Sequence, residues 1–197
     1  FSSHGIKTFN PNMTDKFIEN DLYTHLQISI DQGVAFDAVF LNNVIEHVLD
    51  PERLIQDIKS VLNENGTIVV TFPNDFSQLQ LLLLEKEKID KPFWIAPPDH
   101  ISYFTGDSFR KMAHYAGYET KLVLADFPID LFLLNDHSNY IIDRTKGKQA
   151  HLARITAMNL LFRSDVKATV NAFLELGRAG FGRDLTVFLK ISDTKEE

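Results

Sequence analysis

The stretch FDAVFLNNVIEHVLDPERLIQDIKSVLNENGTIVVTFPN, residues 36–74, decides the fold of this chain. Residues 36–41 are apolar except for Asp37, which predicts a strand buried on both faces of a parallel sheet. Residues 67–72 predict a second strand, which Pro73 ends because proline cannot donate to the ladder. A helical pattern lies between the two strands. The unit of strand, helix and strand predicts the α/β class, with a right-handed crossover.

The segment between these strands carries the signals of an amphipathic helix. Asp50 is placed to cap its first turn, and Pro51 takes the first helical position. Gly66 is expected to end the helix as its C-cap. Apolar side chains recur at spacings of three and four, as on the buried face of a helix. These positions are Leu54, Ile55, Ile58, Val61 and Leu62.

The remaining sequence predicts further helices and strands in alternation. Helices are expected from residue 79, from 105 to a closing Gly117, and as one long helix over 149–176. Strands are expected at 118–125 and 185–191, with an ordered aromatic loop at 91–104. Ahead of the quoted stretch, the pattern predicts a short strand at 5–9 and one or two helices over 14–30.

The composition excludes several classes of function. The chain has 197 residues, with 20 Lys plus Arg against 27 Asp plus Glu, a net charge of −7 and no Cys. The absence of Cys removes disulfides, zinc-thiolate sites and cysteine nucleophiles. An acidic chain without a basic run argues against nucleic-acid binding, and its longest apolar run, 81–84, is too short to cross a membrane. We therefore expect a cytoplasmic protein that acts on a small molecule, with homodimerisation left open.

Four polar residues follow the strand at 36–41 and form the first candidate site. Asn42, Asn43, Glu46 and His47 lie where open α/β sheets bind their ligands, beyond the carboxyl end of a strand. The alternative is that the two asparagines satisfy loop backbone groups and that Glu46 and His47 lie on a solvated turn. Spacing alone favours that alternative.

A second candidate site lies in the aromatic loop. His100 follows Asp99, which can orient it, and a histidine can accept a proton near neutral pH. Tyr103, Phe104 and Trp94 could enclose a small acceptor. The alternative is a packed subdomain in which His100 is a structural hydrogen-bond donor. Sequence alone does not separate the two interpretations.

Other motifs of catalysis and binding are missing from the sequence. Gly177, Gly180 and Gly182 follow a predicted helix and precede a strand, the reverse of a phosphate-binding loop, although Arg178 and Arg183 leave an anion site open. The remaining histidines lack metal-ligand spacing, so no metal is predicted. There is no nucleophile elbow and no phosphate-binding P-loop.

Residues 36–74 resemble the central part of class I S-adenosylmethionine-dependent methyltransferases, and are similar to the small-molecule group related to the methyltransferases of ubiquinone biosynthesis. Residues 98–117 also resemble the segment after the fifth strand of that group. The residues that carry the first resemblance are Phe36, Asp37, Val39, Asn43, Val44, Ile45, Glu46, His47, Val48, Asp50, Pro51, Leu54, Val61, Leu62, Gly66, Pro73 and Asn74.

The resemblance implies a Rossmann-like methyltransferase sheet of order 3-2-1-4-5-7-6, in which 36–41 is the fourth strand. The family's glycine-rich loop after the first strand has no match in this sequence. We therefore expect the first two strands to be absent from the chain, which would be a fragment that forms the C-terminal part of the domain. Its expected parts are core elements at 1–74, a loop and helix lid at 75–117, and the last strands with a helical insertion at 118–191.

The resemblance also implies a function, methyl transfer from S-adenosylmethionine to an oxygen or nitrogen of a small molecule. Asn42, Asn43, Glu46 and His47 would border the cofactor. His100 is the candidate general base, with Tyr103 as a positioning group in the catalytic site. Two alternatives remain: an inactive methyltransferase-like module for binding or assembly, and a nicotinamide-dependent Rossmann enzyme, which lacks its glycine fingerprint here.

Overall fold

One mixed sheet of four strands organises residues 21–192, the part of the chain that the computed structural model describes. The strands are β1 (Phe36–Asn42), β2 (Leu62–Pro73), β3 (Tyr118–Ala125) and β4 (Asp184–Ile191). They lie in the order β1-β2-β4-β3, with β1 parallel to β2 and β4 antiparallel to both β2 and β3. This is the relative order expected for strands four, five, seven and six. The complete seven-strand order stays a prediction.

Six helices of eight or more residues accompany the sheet within residues 21–192. They are α1 (Leu22–Asp31), α2 (Pro51–Ile58), α3 (Gln78–Glu85), α4 (Gly106–Tyr115), α5 (Gly147–Ser164) and α6 (Val166–Arg178). The expected strand at 5–9 lies outside the described residues. The helices expected over 14–30 are described only from residue 21, where α1 occupies the later part of that range.

The predicted helix starts are confirmed, because the capping side chains make the expected hydrogen bonds. Asp50 accepts from the Arg53 N–H, and Pro51 lies at the first helical position of α2. Thr105 caps α4 in a reciprocal capping box with Ser108. These short polar side chains satisfy amides that have no partner inside the helix.

The helix that was expected to end at Gly66 ends earlier. α2 stops at Ile58 and tightens into a short 3-10 turn, Lys59–Val61, after which Leu62 is already extended and starts β2. Leu62 pairs with Phe36 of β1. Its spacing also fits a helix, but pairing with another strand decides its conformation. Gly66 therefore lies in the irregular start of β2 and not at a helix C-cap.

Two further expectations about individual elements are wrong. β1 is not buried on both faces, because Leu41 is its one buried residue and Phe40 is 64% exposed. The long helix over 149–176 is two helices, since Asp165 is extended and caps α6 by accepting from the Ala168 N–H. A capping aspartate interrupts a run whose apolar spacing looks continuous.

The buried apolar residues form two groups of unequal size. The main core lies against the sheet and includes residues of α2 and α4, among them Leu54 and Phe109. A smaller group packs α3 to the aromatic loop and to the segment after β3 through Leu83, Trp94 and Leu133. The end of the aromatic loop is fixed beside the carboxyl end of β2, because Phe104 forms a bridge with Asn74 and its carbonyl accepts the Asp75 N–H.

Candidate active site

Polar residues follow both parallel strands at one edge of the sheet. Asn42 ends β1, Asn43 follows it, and both are exposed. Asn43 has a positive φ of 51°, and its N–H donates to the Thr71 carbonyl over 2.9 Å. Asn74 and Asp75 follow β2 and are buried. Exposed amides and a buried carboxyl group therefore lie at the edge of the sheet where ligands of open α/β proteins bind.

Glu46 lies in the short 3-10 turn Ile45–His47, and its side chain is buried. Glu46 is 1% exposed, and its two carboxylate oxygens have no hydrogen-bond partner among the described residues. His47 is partly exposed, with Nε2 3.7 Å from Glu46 Oε1. Its Nδ1 makes a hydrogen bond of 2.5 Å to the Asp99 carbonyl. The expected alternative of a solvated turn is therefore wrong for Glu46.

Backbone hydrogen bonds join the aromatic loop to this turn. The Glu46 carbonyl accepts the N–H groups of Ile101 and Ser102 over 3.0 and 3.1 Å. This contact places the His100 ring edge-on to the His47 ring, with centroids 4.9 Å apart. The candidate ligand atoms of Glu46, His47 and His100 all lie within 4.8 Å of one another. We call these three residues the histidine cluster.

The Tyr103 hydroxyl is engaged with backbone. It donates to the His100 carbonyl over 3.0 Å and accepts the Ala96 N–H over 3.2 Å. Tyr103 therefore holds the loop segment that presents His100, which is how a positioning residue acts. Its direct participation in chemistry stays a prediction.

A second group of titratable side chains was missed by the sequence analysis. The Tyr140 hydroxyl donates to Asp130 Oδ1 over 2.8 Å, and Arg183 Nη1 lies 3.6 Å from Asp130 Oδ2. The Arg183 guanidinium also lies 4.9 Å from the Phe93 ring centre, a cation–π contact. Asp75 interacts electrostatically with Arg183. We call Asp75, Asp130, Tyr140 and Arg183 the arginine cluster.

Asp75 is the most perturbed carboxyl group of this cluster. It is 1% exposed, and neither carboxylate oxygen has a hydrogen-bond partner among the described residues. The pKa of Asp75 is raised to about 7, chiefly by burial; Arg183 opposes the shift, and the charge of Glu46 adds to it. Since the charge of Glu46 acts on the pKa of Asp75, the two clusters are coupled electrostatically. A carboxyl group that titrates near neutral pH can exchange a proton during catalysis.

The backbone around Arg183 is held by side chains from two strand ends. Asp126 Oδ1 accepts the N–H groups of Arg183 and Asp184 over 2.6 and 2.9 Å. Burial raises the pKa of Asp126 to about 6. The Asn74 amide donates to the carbonyls of Gly180 and Gly182. The start of β4 is thus fixed to the end of β2, and Arg183 is fixed with it.

The glycine cluster is a helix-to-strand connection. Gly180 has a positive φ of 73° just after α6, and the Phe181 N–H returns to the Leu176 carbonyl, a helix C-cap. At Gly177 a Cβ atom would lie 2.4 Å from the Val123 carbonyl oxygen, so this glycine allows α6 to approach β3. The guanidinium of Arg183 faces Asp130, which disfavours the anion site left open above.

Sequence comparison shows the family. Residues 5–123 match the family described as Methyltransferase domain, and this match covers more than half of the 197 residues. The chain therefore belongs to the methyltransferase domain family. No curated protein matches it by sequence. Within residues 21–192, no helix has both the length and the apolar composition that a membrane crossing requires.

Several solved methyltransferase structures match part of this chain. A SAM-dependent methyltransferase from Archaeoglobus fulgidus is 15% identical, with a TM-score of 0.49, and the match covers 92% of this chain and 72% of that chain. The O-methyltransferase of a Brevibacillus brevis multienzyme, in complex with S-adenosyl-L-homocysteine, is 16% identical, with a TM-score of 0.41. That match covers 81% of this chain and 45% of that chain. A Galdieria sulphuraria protein described as a sarcosine dimethylglycine methyltransferase is 19% identical, with a TM-score of 0.39. That match covers 82% of this chain and 54% of that chain. The chain spans about half the length of the last two proteins.

Proposed function

We propose that this protein transfers a methyl group from S-adenosylmethionine to an oxygen or nitrogen atom of a small molecule. Membership of the methyltransferase domain family supports the reaction type. The observation that carries the proposal furthest is the position of the histidine cluster, beside exposed amides at the carboxyl edge of β1 and β2. We expect one ligand at this edge to contact both the titratable groups and the hydrogen-bonding groups.

The residues at the end of β1 suit the polar part of the cofactor. Asn42 and Asn43 are exposed, and an amide can both donate to a carboxylate and accept from an ammonium group. We assign these two residues, with Glu46 and His47 beside them, to cofactor binding. When bound, S-adenosylmethionine supplies an electrophilic methyl group on its sulfonium. The protein's own task is then to align the acceptor and to remove a proton where the acceptor carries one.

We assign proton removal to His100, which Tyr103 positions through the His100 carbonyl. Asp75 is a second group suited to this role, since its pKa is raised to about 7 by burial. His100 lies within 4.8 Å of Glu46, and the charge of Glu46 acts electrostatically on Asp75. The acceptor is therefore expected to bind between the histidine cluster and the arginine cluster.

Calorimetric titration with S-adenosylmethionine and with NAD tests the cofactor. We expect S-adenosylmethionine to bind and NAD not to bind, and we expect the double variant Asn42→Ala, Asn43→Ala to bind at least about tenfold more weakly, as for two lost hydrogen bonds. Asn159→Ala, at an exposed position of α5, is the matched control. NAD binding without S-adenosylmethionine binding would overturn the proposal.

A label-transfer screen tests the reaction. The protein is incubated with S-adenosylmethionine that carries a labelled methyl group and with panels of small amines, phenols and alcohols. We expect label in at least one class of acceptor. Cofactor binding without label transfer to any class would favour the alternative of an inactive binding or assembly module.

A further inference from the structure

We infer that the methyl acceptor is an amine, which binds as its ammonium ion at the buried carboxylates of Glu46 and Asp75. This inference rests on the proposed function and names its class of acceptor. Each of the two side chains is 1% exposed, and none of their carboxylate oxygens has a hydrogen-bond partner among the described residues. A buried carboxylate without a partner is strongly unfavourable, and such groups are rare in native proteins. The two side chains therefore call for a ligand that carries positive charge.

The end of the aromatic loop joins the two carboxylate residues. The Glu46 carbonyl accepts the N–H groups of Ile101 and Ser102. The Phe104 carbonyl accepts the Asp75 N–H over 2.9 Å. Ser102 and Phe104 are two positions apart, so at most about 7 Å of extended chain lies between the two attachment points. These contacts hold the two residues near each other, so one ammonium group can serve both carboxylates.

Negative charge is in excess around Asp75. The carboxylates of Glu46, Asp184 and Asp130 disfavour its ionised form, whereas the Arg183 guanidinium favours it. That guanidinium also lies 3.6 Å from Asp130 Oδ2, so its charge is shared between two carboxyl groups. The pKa of Asp75, raised to about 7 chiefly by burial, indicates that Arg183 does not fully compensate the carboxylate. A bound ammonium ion would supply the missing positive charge.

An ammonium group fits these carboxylates better than a hydroxyl group does. A primary ammonium group carries a positive charge and three N–H donors, whereas a hydroxyl group is neutral and has one donor. Hydrogen bonds from a charged donor to a carboxylate are among the strong ones in proteins. An oxygen acceptor would also have to lose its proton beside two negative charges, which is unfavourable. The two carboxylates therefore favour nitrogen over oxygen as the methyl acceptor.

Aromatic rings follow Asp75 and can hold the rest of the amine. The Phe76 ring lies edge-on to the rings of Trp94 and Tyr103, with centroids 5.6 and 6.3 Å apart. Phe76 is 41% exposed and Tyr103 is half-buried, so a ligand can approach along these rings. The Phe76 backbone has a positive φ of 56°, which is costly for a bulky residue and is typical of binding sites. Because aromatic faces attract ammonium groups, these rings also favour an amine.

The reaction separates binding of the amine from removal of its proton. Bound as ammonium, the acceptor nitrogen has no free electron pair, and His100, assigned above to proton removal, takes one N–H proton. The freed electron pair forms the bond to the methyl carbon while the carbon–sulfur bond breaks, and the electrons of that bond stay on sulfur. Nitrogen thereby regains a positive charge, which Glu46 and Asp75 stabilise as it develops. Glu46 also borders the proposed cofactor site, so the nitrogen would lie where the methyl group passes.

The test uses pairs of probes that differ in the head group, benzylamine with benzyl alcohol and butylamine with butan-1-ol. Calorimetry measures their binding with and without S-adenosyl-L-homocysteine, which lacks the transferable methyl group. Fluorescence of Trp94, the one tryptophan of the chain, gives a second readout. In at least one pair the amine should bind at least about tenfold more tightly than the alcohol, as for a hydrogen bond to a charged group.

Two variants of similar shape locate the binding site. Asp75→Asn should weaken amine binding at least about tenfold and leave the affinities for the alcohol and for S-adenosyl-L-homocysteine nearly unchanged. Glu46→Gln should weaken amine binding similarly in the absence of S-adenosyl-L-homocysteine. Asp90→Asn, at an exposed position, is the matched control and should bind like the unchanged protein. Circular dichroism checks that each variant is folded, and the other variant serves where one is not.

Absence of amine binding, equal affinities within both probe pairs, or amine binding that neither variant weakens would overturn the inference. Binding of S-adenosylmethionine with label transfer to alcohols or phenols alone would also overturn it, but would keep the proposed function. Amine binding that depends on Asp75, without binding of S-adenosylmethionine, would keep the ammonium site and reject the proposed function.

Discussion

The histidine cluster and the arginine cluster lie at the same edge of the sheet, and each contains a buried carboxylate. They differ in the groups that compensate its charge. In the arginine cluster, Asp130 has a guanidinium 3.6 Å away and a tyrosine hydroxyl at 2.8 Å. In the histidine cluster, the Glu46 carboxylate has no hydrogen-bond partner within residues 21–192, and His47 Nε2 lies 3.7 Å from it. The first cluster carries its own counter-charge, whereas the second needs a proton or a bound cation. We therefore expect the Asp130–Arg183 pair to serve stability, and the histidine cluster together with Asp75 to serve ligand binding and chemistry.

The largest effect that would separate the clusters is on turnover. His100→Gln should lower turnover by about a hundredfold or more, the usual contribution of a group that moves a proton, and should leave the affinity for S-adenosylmethionine nearly unchanged. The measurement is steady-state kinetics with the acceptor found by the label-transfer screen, with His114→Gln as the control. Unaltered turnover in His100→Gln would remove His100 from the chemistry.

The second effect is on stability. Arg183→Met should lower the free energy of unfolding by about 3 kcal/mol, because it leaves the Asp130 carboxylate buried without a counter-charge. Urea unfolding followed by circular dichroism measures the change. Arg178→Met is the control, since Arg178 pairs with Glu175 at the surface, where such pairs contribute about 0–1 kcal/mol. Equal losses in the two variants would mean that the arginine cluster is not a stabilising unit.

The third effect is a pH dependence caused by Asp75. Its folded-state pKa is raised from 3.8 to about 7, so between these values the folded protein holds a proton that the unfolded chain has released. Stability contributed by this group is therefore present at low pH and is lost as the pH rises toward 7, by at most about 1.4 kcal/mol per pH unit.

Asp75→Asn should remove this slope and gain stability above pH 7 relative to the unchanged protein. Urea unfolding at several pH values measures it, with Asp90→Asn, at an exposed position, as the control. Parallel pH profiles of the unchanged protein and Asp75→Asn would contradict the assignment.

The smallest effect tests one hydrogen bond. Tyr140→Phe removes the hydroxyl that donates to Asp130 Oδ1 and should cost about 1–2 kcal/mol of unfolding free energy, since the carboxylate loses a buried donor. Tyr115→Phe, at an exposed position, should change stability by less than about 0.5 kcal/mol. A loss as small in Tyr140→Phe as in this control would show that Arg183 alone balances Asp130.

Local signals in the sequence predicted helices and strands correctly where residues of the same segment determine the structure. Asp50 and Thr105 cap the helices that they were expected to cap, and strands form at 36–42 and 118–125. The errors arose where tertiary pairing or a second signal overrode a periodic pattern. Leu62 joined β2 instead of α2, and Asp165 divided a run that reads as one helix.

The candidate site was predicted in parts. The rule that polar residues after a parallel strand lie near ligands selected Glu46 and His47, and applied to β2 it would also have selected Asp75. The meeting of Glu46 with His100 depends on backbone hydrogen bonds between distant segments, which no side-chain pattern encodes. Arg183 was noticed only for its charge, because its partner Asp130 lies in another segment.

The carbonyl of Glu46 has a consequence for motion. Since the Ile101 and Ser102 amides donate to this one atom, a single opening of the loop exposes both to solvent. Their hydrogen exchange should therefore show one common free energy of opening, set by that event and not by fluctuation of each amide alone. The same opening carries His100 away from Glu46 and His47, so the protection of these two amides reports the fraction of time for which the histidine cluster is apart.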